Sequence, residues 1–196
     1  MNKASIKISW RILCLLAFVA MCYGAETGQR VPADEPRPTD YKAKAAYLYN
    51  FARFVEWPED AFDGPQAPFI IGILGEDPFG QAFDSVRGKT VKGRTLIIKK
   101  IDDVRESTSC QILFIGALER GKRQTILKAL QHGSVLTAGD TEGFAKAGGV
   151  VNFVVTDKSV GFEVNVDAAQ RKRLKFSSRI LNIAVIVHDA AKPEGE

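Results

Sequence analysis

Between residues 69 and 166, six short β-rich runs, most of them near-continuously apolar, alternate with stretches of helical composition. The runs are 69–74, 95–101, 112–115, 134–138, 150–156 and 162–166. Helical patterns are expected at 77–86, 118–131 and 141–146, and from Asn165 or Asp167 through Gln170. Strands apolar on both faces belong inside a sheet that helices cover on each side. The expected fold is therefore α/β, a single domain with a mainly parallel, Rossmann-like sheet flanked by helices. At 196 residues, 45% hydrophobic and 26% charged, the chain suffices for one such core and is too mixed for disorder, collagen or a coiled coil. Residues 180–187 are ambiguous, being β-branched enough for a strand yet able to continue a helix begun at Ser177 or Ser178.

The start of the chain bears on its compartment. A basic opening through Arg11, ten apolar residues at 12–21 and small residues at Gly24 and Ala25 read as a secretory signal peptide over 1–24. Ten apolar residues reach across about half of a bilayer core, so no stable membrane insertion is expected. Removing Lys3, Lys7 and Arg11 leaves 24 basic against 23 acidic residues, so the formal charge falls from +4 to +1. That balance offers nothing to a nucleic acid. Residues 25–39, with Pro32, Pro36 and Pro38, read as a flexible linker, followed by a domain over 40–188 and a tail over 189–196. In a Gram-negative cell the mature protein would be periplasmic. Cys14 and Cys22 leave with the signal, and Cys110 is then expected as a small buried hydrophobe without an internal disulfide.

Residues 40–57 read as one amphipathic helix. Tyr41, Ala45, Leu48, Ala52 and Val55 recur at three- and four-residue steps, Thr39 or Asp40 can cap the start, and Pro58 stops the run. Tyr47, Phe51 and Phe54 widen the apolar arc beyond one packing face, and Trp57 with Pro58 closes it. The helix is thus either deeply buried or offers an aromatic surface. Farther on, Arg171, Lys172, Arg173, Lys175 and Arg179 form a run without acids, expected as a solvated face or as a surface for an anionic lipid or acidic partner.

Chemistry-bearing patterns are scarce. His132 and His188 stand at no metal-ligand spacing, and no Gly-x-Ser-x-Gly elbow occurs. Residues 75–80, GEDPFG, follow a strand where an α/β protein could hold phosphate, but lack the Lys-Ser/Thr pair and the three-glycine pattern. Asp102, Asp103 and Glu119 are isolated carboxylates, and Gly139 to Gly143 is turn chemistry first. No catalytic residue, metal or cofactor is expected, and the chain reads as non-enzymatic. Strand ends near Gly75 and Asp140 leave a small-ligand receptor, feeding a membrane sensor or transporter, as the alternative class.

Five segments occur in a telling order: YKAKAAYLYNFARFVEWP at 41–58, GILGEDPFG at 72–80, CQILFIG at 110–116, VLTAGDTEGFAKAGGVVNFVV at 135–155 and FEVNVDAAQRKRLKFSSRIL at 162–181. Together they resemble the YfiR family of periplasmic regulators. The resemblance implies a periplasmic, commonly dimeric α/β repressor that binds the periplasmic sensor domain of an inner-membrane signalling protein. In the best-known case that protein is a YfiN-type diguanylate cyclase, which is held inactive so that cyclic di-GMP and biofilm formation stay low. It also implies recognition through Phe54, Val55, Trp57 and Pro58, and with Phe51 from the widened arc these are the candidate partner-binding residues. Relatives often carry disulfide-forming cysteines, whereas Gly72 and Phe144 stand here where others would be sought. Redox switching through an internal disulfide is not expected.

Overall fold

The computed structural model describes residues 38–156 and 159–190. The expected signal peptide, linker residues 25–37 and tail residues 191–196 lie outside the described residues. The first helix, α1, spans Pro38–Phe54, with proline at the position where its missing N–H costs nothing. It stops three residues before Trp57, which corrects the expected 40–57 span. Val55–Glu56 forms β1 and pairs antiparallel with β9, Lys175–Phe176, in the register Val55↔Phe176 and Glu56↔Lys175. The backbone there bonds to another strand instead of continuing the helix.

The main sheet contains β2 (Phe69–Leu74), β3 (Thr90–Val91), β4 (Arg94–Ile101), β5 (Ile112–Ile115), β6 (Leu136–Gly139), β7 (Val151–Val155), β8 (Val160–Asn165) and β10 (Val185–Val187). Their order is β10-β8-β7-β6-β5-β2-β4-β3, antiparallel only at β7–β8 and β3–β4. The parallel core, β4-β2-β5-β6-β7, is a doubly wound arrangement whose first two strands in sequence sit in reversed order, so chain direction switches between β2 and β5.

Alternation along each strand supplies two cores. Phe69, Ile71 and Ile73 of β2, with Ile112, Phe114, Leu136 and Ala138, face α1 through Leu48, Phe51 and Ala52. Leu74, Leu113 and Ile115 face the other way, against Ile126 and Leu130 around α2 (Arg123–Ala129). Both faces are covered, as near-continuous apolar strands require.

Three helical expectations come out shorter or otherwise. At 77–86, Asp77 Oδ1 accepts from Phe79 N at 2.8 Å and Gly80 adopts φ +50°, so only a 3-10 turn, Gly80–Phe83, forms. At 118–131, a 3-10 segment over Ala117–Lys122, which contains Gly121, precedes α2. Residues 141–146 make turns instead of a helix, because the Phe144 ring packs down on Gly139 and Gly149, where Cβ atoms would meet it at 2.7 and 2.2 Å. Helix α3, Val166–Arg171, is capped as expected by Asn165, whose side chain accepts from Ala168 N. The ambiguous 180–187 segment divides into α4, Ser178–Leu181, and then β10.

Candidate partner-binding surface

The candidate residues separate by burial at the point where α1 meets β9. Phe51 and Val55 are fully buried, which corrects their expected place on an exposed surface. Phe51 packs its ring against Phe162 at 5.1 Å, Phe153 at 6.2 Å and Phe176 at 6.4 Å. With Tyr47 it packs on the sheet residues Phe153 and Phe162, so the widened arc is mostly core. Phe54, Trp57 and Pro58 are half-buried.

Phe54 is flanked by two guanidiniums, Arg53 at 5.0 Å and Arg179 at 5.8 Å from its ring centroid. Its carbonyl accepts from Ser177 N at 3.2 Å, which ties the end of α1 to the turn leading into α4. Trp57 is held more firmly. Its ring stands edge-on to Phe69 at 5.0 Å and 89°, and its Nε1 donates to the Gln111 carbonyl at 3.1 Å. Gln111 is itself buried, donating through Nε2 to Ala61 O at 2.6 Å and accepting from Ile70 N at 2.8 Å through Oε1. Lys92, at φ +51°, donates to the Val55 carbonyl and reaches within 5.9 Å of the Trp57 ring, and burial pushes its ammonium pKa down.

Across β9 from this point lies an open groove of about 390 Å³. Its apolar lining is Val166, Ala169, Leu174, Phe176 and Leu181, and Gln170, Arg173 and Lys175 supply its polar side chains. The basic run expected as a solvated face or an acidic-partner surface is largely spent within the protein. Arg171 pairs with Asp189, Arg173 pairs with Asp60 at 2.8 Å, and Lys172 is buried with its ammonium on the Leu130 carbonyl. Lys175 and Arg179 are exposed and belong to no ion pair among the described residues, so their charge faces outward beside the groove.

The other candidate location, the carboxyl ends of the parallel strands, is occupied by the chain itself. Doubly wound proteins bind ligands in the crevice at the strand-order reversal, here between β2 and β5. Phe79, only 4% exposed, fills that position, 4.8 Å from Phe114 of β5 and 5.3 Å from Tyr41 of α1. Asp140, just past β6, turns inward to Lys44 Nζ at 2.7 Å and accepts from Tyr41 O–H at 3.2 Å. Burial first and the Asp140 charge second push the Tyr41 pKa well up, so the hydroxyl stays protonated. Gly75 keeps φ +81°, with Glu119 Oε1 3.1 Å from where a Cβ would stand.

Cys110 is 2% exposed, and burial pushes its thiol pKa up to about 11. Among the described residues no three His, Cys, Asp or Glu side chains gather as metal ligands, and no helix is long and apolar enough to cross a membrane. The signals that sequence reading missed are Arg53, the neighbour of Phe54 on α1, and the placement of Arg179, named only within the basic run, onto Phe54 by the β1–β9 pairing across about 120 residues of chain.

Residues 41–185, about three-quarters of the chain, match the family model described as YfiR/HmsC-like. The match runs from the first turn of α1 through the parallel core and the groove beside β9 to the first residue of β10, and the chain belongs to the YfiR/HmsC-like family.

Proposed function

We propose that this protein is a periplasmic negative regulator that binds the periplasmic sensor domain of an inner-membrane diguanylate cyclase and holds it inactive. The observation that carries the reading is Phe54: a half-buried aromatic between two guanidiniums, beside an apolar groove with outward lysine and arginine charge. Aromatic and arginine side chains dominate binding energy at protein interfaces, and the exposed Lys175 and Arg179 suit an acidic, apolar segment of the partner. Membership of a regulatory family supports the same reading. So does the filling of the strand-end crevice by Phe79 and Tyr41, which leaves the small-ligand alternative without its usual place.

Repression then works by population shift. A regulator that binds the inactive sensor conformation about 2.8 kcal/mol more tightly than the active one changes their ratio about a hundredfold. The protein acts as a dimer, so one assembly meets two sensor domains.

The test is cellular. Deleting the gene should raise cyclic di-GMP, and restoring the unaltered chain should lower it again. Phe54→Ala and Arg179→Glu should accumulate to the same level yet fail to restore repression, because truncating a central interface aromatic costs about 2 kcal/mol or more, roughly thirtyfold in affinity. Repression by both variants at unaltered levels would remove this surface from the mechanism. Unchanged cyclic di-GMP on deletion would remove the cyclase as partner.

A further inference from the structure

Residues 180–187 read ILNIAVIV, without a charge, and β10 within them is Val-Ile-Val. That composition belongs to an interior strand of a parallel sheet, covered on both faces. The structure puts β10 at the edge instead, hydrogen-bonded to β8 on one side and to no strand on the other among the described residues. Its register, Val185↔Glu163 and Ile186↔Val164, turns Ile186 toward the α1 face and Val185 toward the opposite one. Both are exposed, Val185 at 62% and Ile186 at 44%, and Ile183 just before the strand is exposed at 62%.

The exposure is concentrated. Of the six large hydrophobic residues exposed among the described residues, five lie at this end of the sheet: Ile183, Val185 and Ile186, with Val154 and Val155 of β7. Natural sheets protect an edge with lysine, proline, a bulge or brevity. The opposite edge does so, since β3 is two residues long between Lys89 and Lys92. β10 carries none of the charged or proline guards.

We propose that β10 is the edge at which a second copy of this chain pairs, antiparallel about a two-fold axis near Ile186, joining two eight-stranded sheets into one. This rests on the dimer named in the proposed function and assigns its interface. Two features select a second copy as the occupant. An uncharged strand sets no like charges opposite one another when it meets itself, placing Val185 against Val187 of the second copy and Ile186 against Ile186. The guarded β3 edge also excludes head-to-tail sheet addition, so pairing closes after two copies through one self-complementary patch. Three paired residues fall short of the roughly 1,200 Å² that a stable interface buries. Ile183 beside the strand and Val154, which shares the sheet face of Val185, therefore enter the contact with them.

Sedimentation of the periplasmic protein at micromolar concentration should show a dimer, and Val185→Lys should make it a monomer with an unchanged circular dichroism spectrum. Hydrogen exchange on the unaltered protein supplies a second reading: amides of 185–187 should be protected in the dimer and exchange at least tenfold faster on dilution to monomer. A monomeric parent, a Val185→Lys dimer, or β10 amides that exchange alike in dimer and monomer would overturn the assignment. A monomer whose β10 becomes protected only on adding membranes that hold the signalling partner would overturn it too, giving the edge to that partner. A parent that represses while itself monomeric sinks this inference alone, whereas a β10-paired dimer that leaves cyclic di-GMP unchanged sinks the regulatory reading alone.

Discussion

A Cβ placed on Gly72 would lie 2.8 Å from the Sγ of Cys110. The two residues belong to neighbouring parts of the sheet, Gly72 in β2 and Cys110 two residues before β5, on the face away from α1. Gly72→Cys is expected to bridge to Cys110, since the side chains are within disulfide reach. The same Cβ would press on Ile101 Cγ1 at 2.9 Å and Leu113 Cδ1 at 3.0 Å, a crowding that costs about 1–3 kcal/mol. Closing the loop between the two positions is worth roughly 4 kcal/mol at most. The reduced variant should therefore melt below the parent and the oxidised variant above its reduced form. Intact mass showing the loss of two hydrogens, with no free thiol at either position after unfolding, checks the bridge.

Trp57 and Phe54 should respond oppositely to truncation. Trp57 stands edge-on to Phe69 and donates to Gln111 O, so Trp57→Ala empties a packed site and should cost roughly 3–5 kcal/mol of stability. Phe54 is half-exposed and bordered by two exposed arginine side chains, and Phe54→Ala should hold the thermal midpoint within a few degrees of the parent. Calorimetry on the pair decides it. A Trp57→Ala protein as stable as the parent would return Trp57 to the exposed surface.

The Lys44–Asp140 pair fixes α1 across the carboxyl end of the sheet. Their side chains are 1% and 4% exposed at 2.7 Å, and Asp140 Oδ1 is buried without a hydrogen-bond partner among the described residues. Removing one partner strands a buried charge, so Lys44→Met or Asp140→Leu should each cost about 3–5 kcal/mol. The double variant should recover most of that loss, because neither charge then remains to be solvated. Additive losses in a denaturant-melt cycle would show that the pair is not coupled.

The six-run reading of the strands carried over because an apolar run of four to eight residues reports burial directly, whatever the tertiary partners. All six runs overlap strands of the main sheet. The two-residue strands β1 and β9 were not legible, since they pair only with each other across about 120 residues of chain, and β3, which pairs locally as Val91↔Arg94 across the Lys92-Gly93 turn, is too short a run to stand out. Helix ends were misjudged for a related reason. Periodicity at Val55 fits a helix and fits the strand that β9 imposes equally well. At the candidate site the aromatics were visible as residues, but the division between buried Phe51 and half-exposed Phe54 follows from which side of α1 meets Phe162 and Phe176. The basic run misled because composition cannot show that Arg171, Lys172 and Arg173 each find a partner inside the same protein.

Lys172 gives a pH dependence with a definite sign. Its side chain is buried beneath α2, with Nζ donating to the Leu130 carbonyl. Burial first and the Arg171 guanidinium second push its pKa from 10.5 down to about 8. Below pH 8 the ammonium is charged in both states and the folded protein carries the full penalty of burying it, about 3 kcal/mol from the size of the shift. As pH rises from 8 toward 10.5 the folded lysine releases its proton while the unfolded one keeps it, so the unfolded state binds more protons and stability rises. Cys110 opposes this, because its thiol is held up at about 11 against 9.0 and the stability it contributes is lost as pH climbs through that interval. Lys172→Met keeps Cys110, so the difference between the two proteins isolates the lysine. Unfolding free energy of the parent minus that of Lys172→Met should increase by about 2 kcal/mol between pH 8 and pH 10, measured by urea melts at constant ionic strength. A flat difference across that interval would mean that Lys172 reaches solvent in the folded protein.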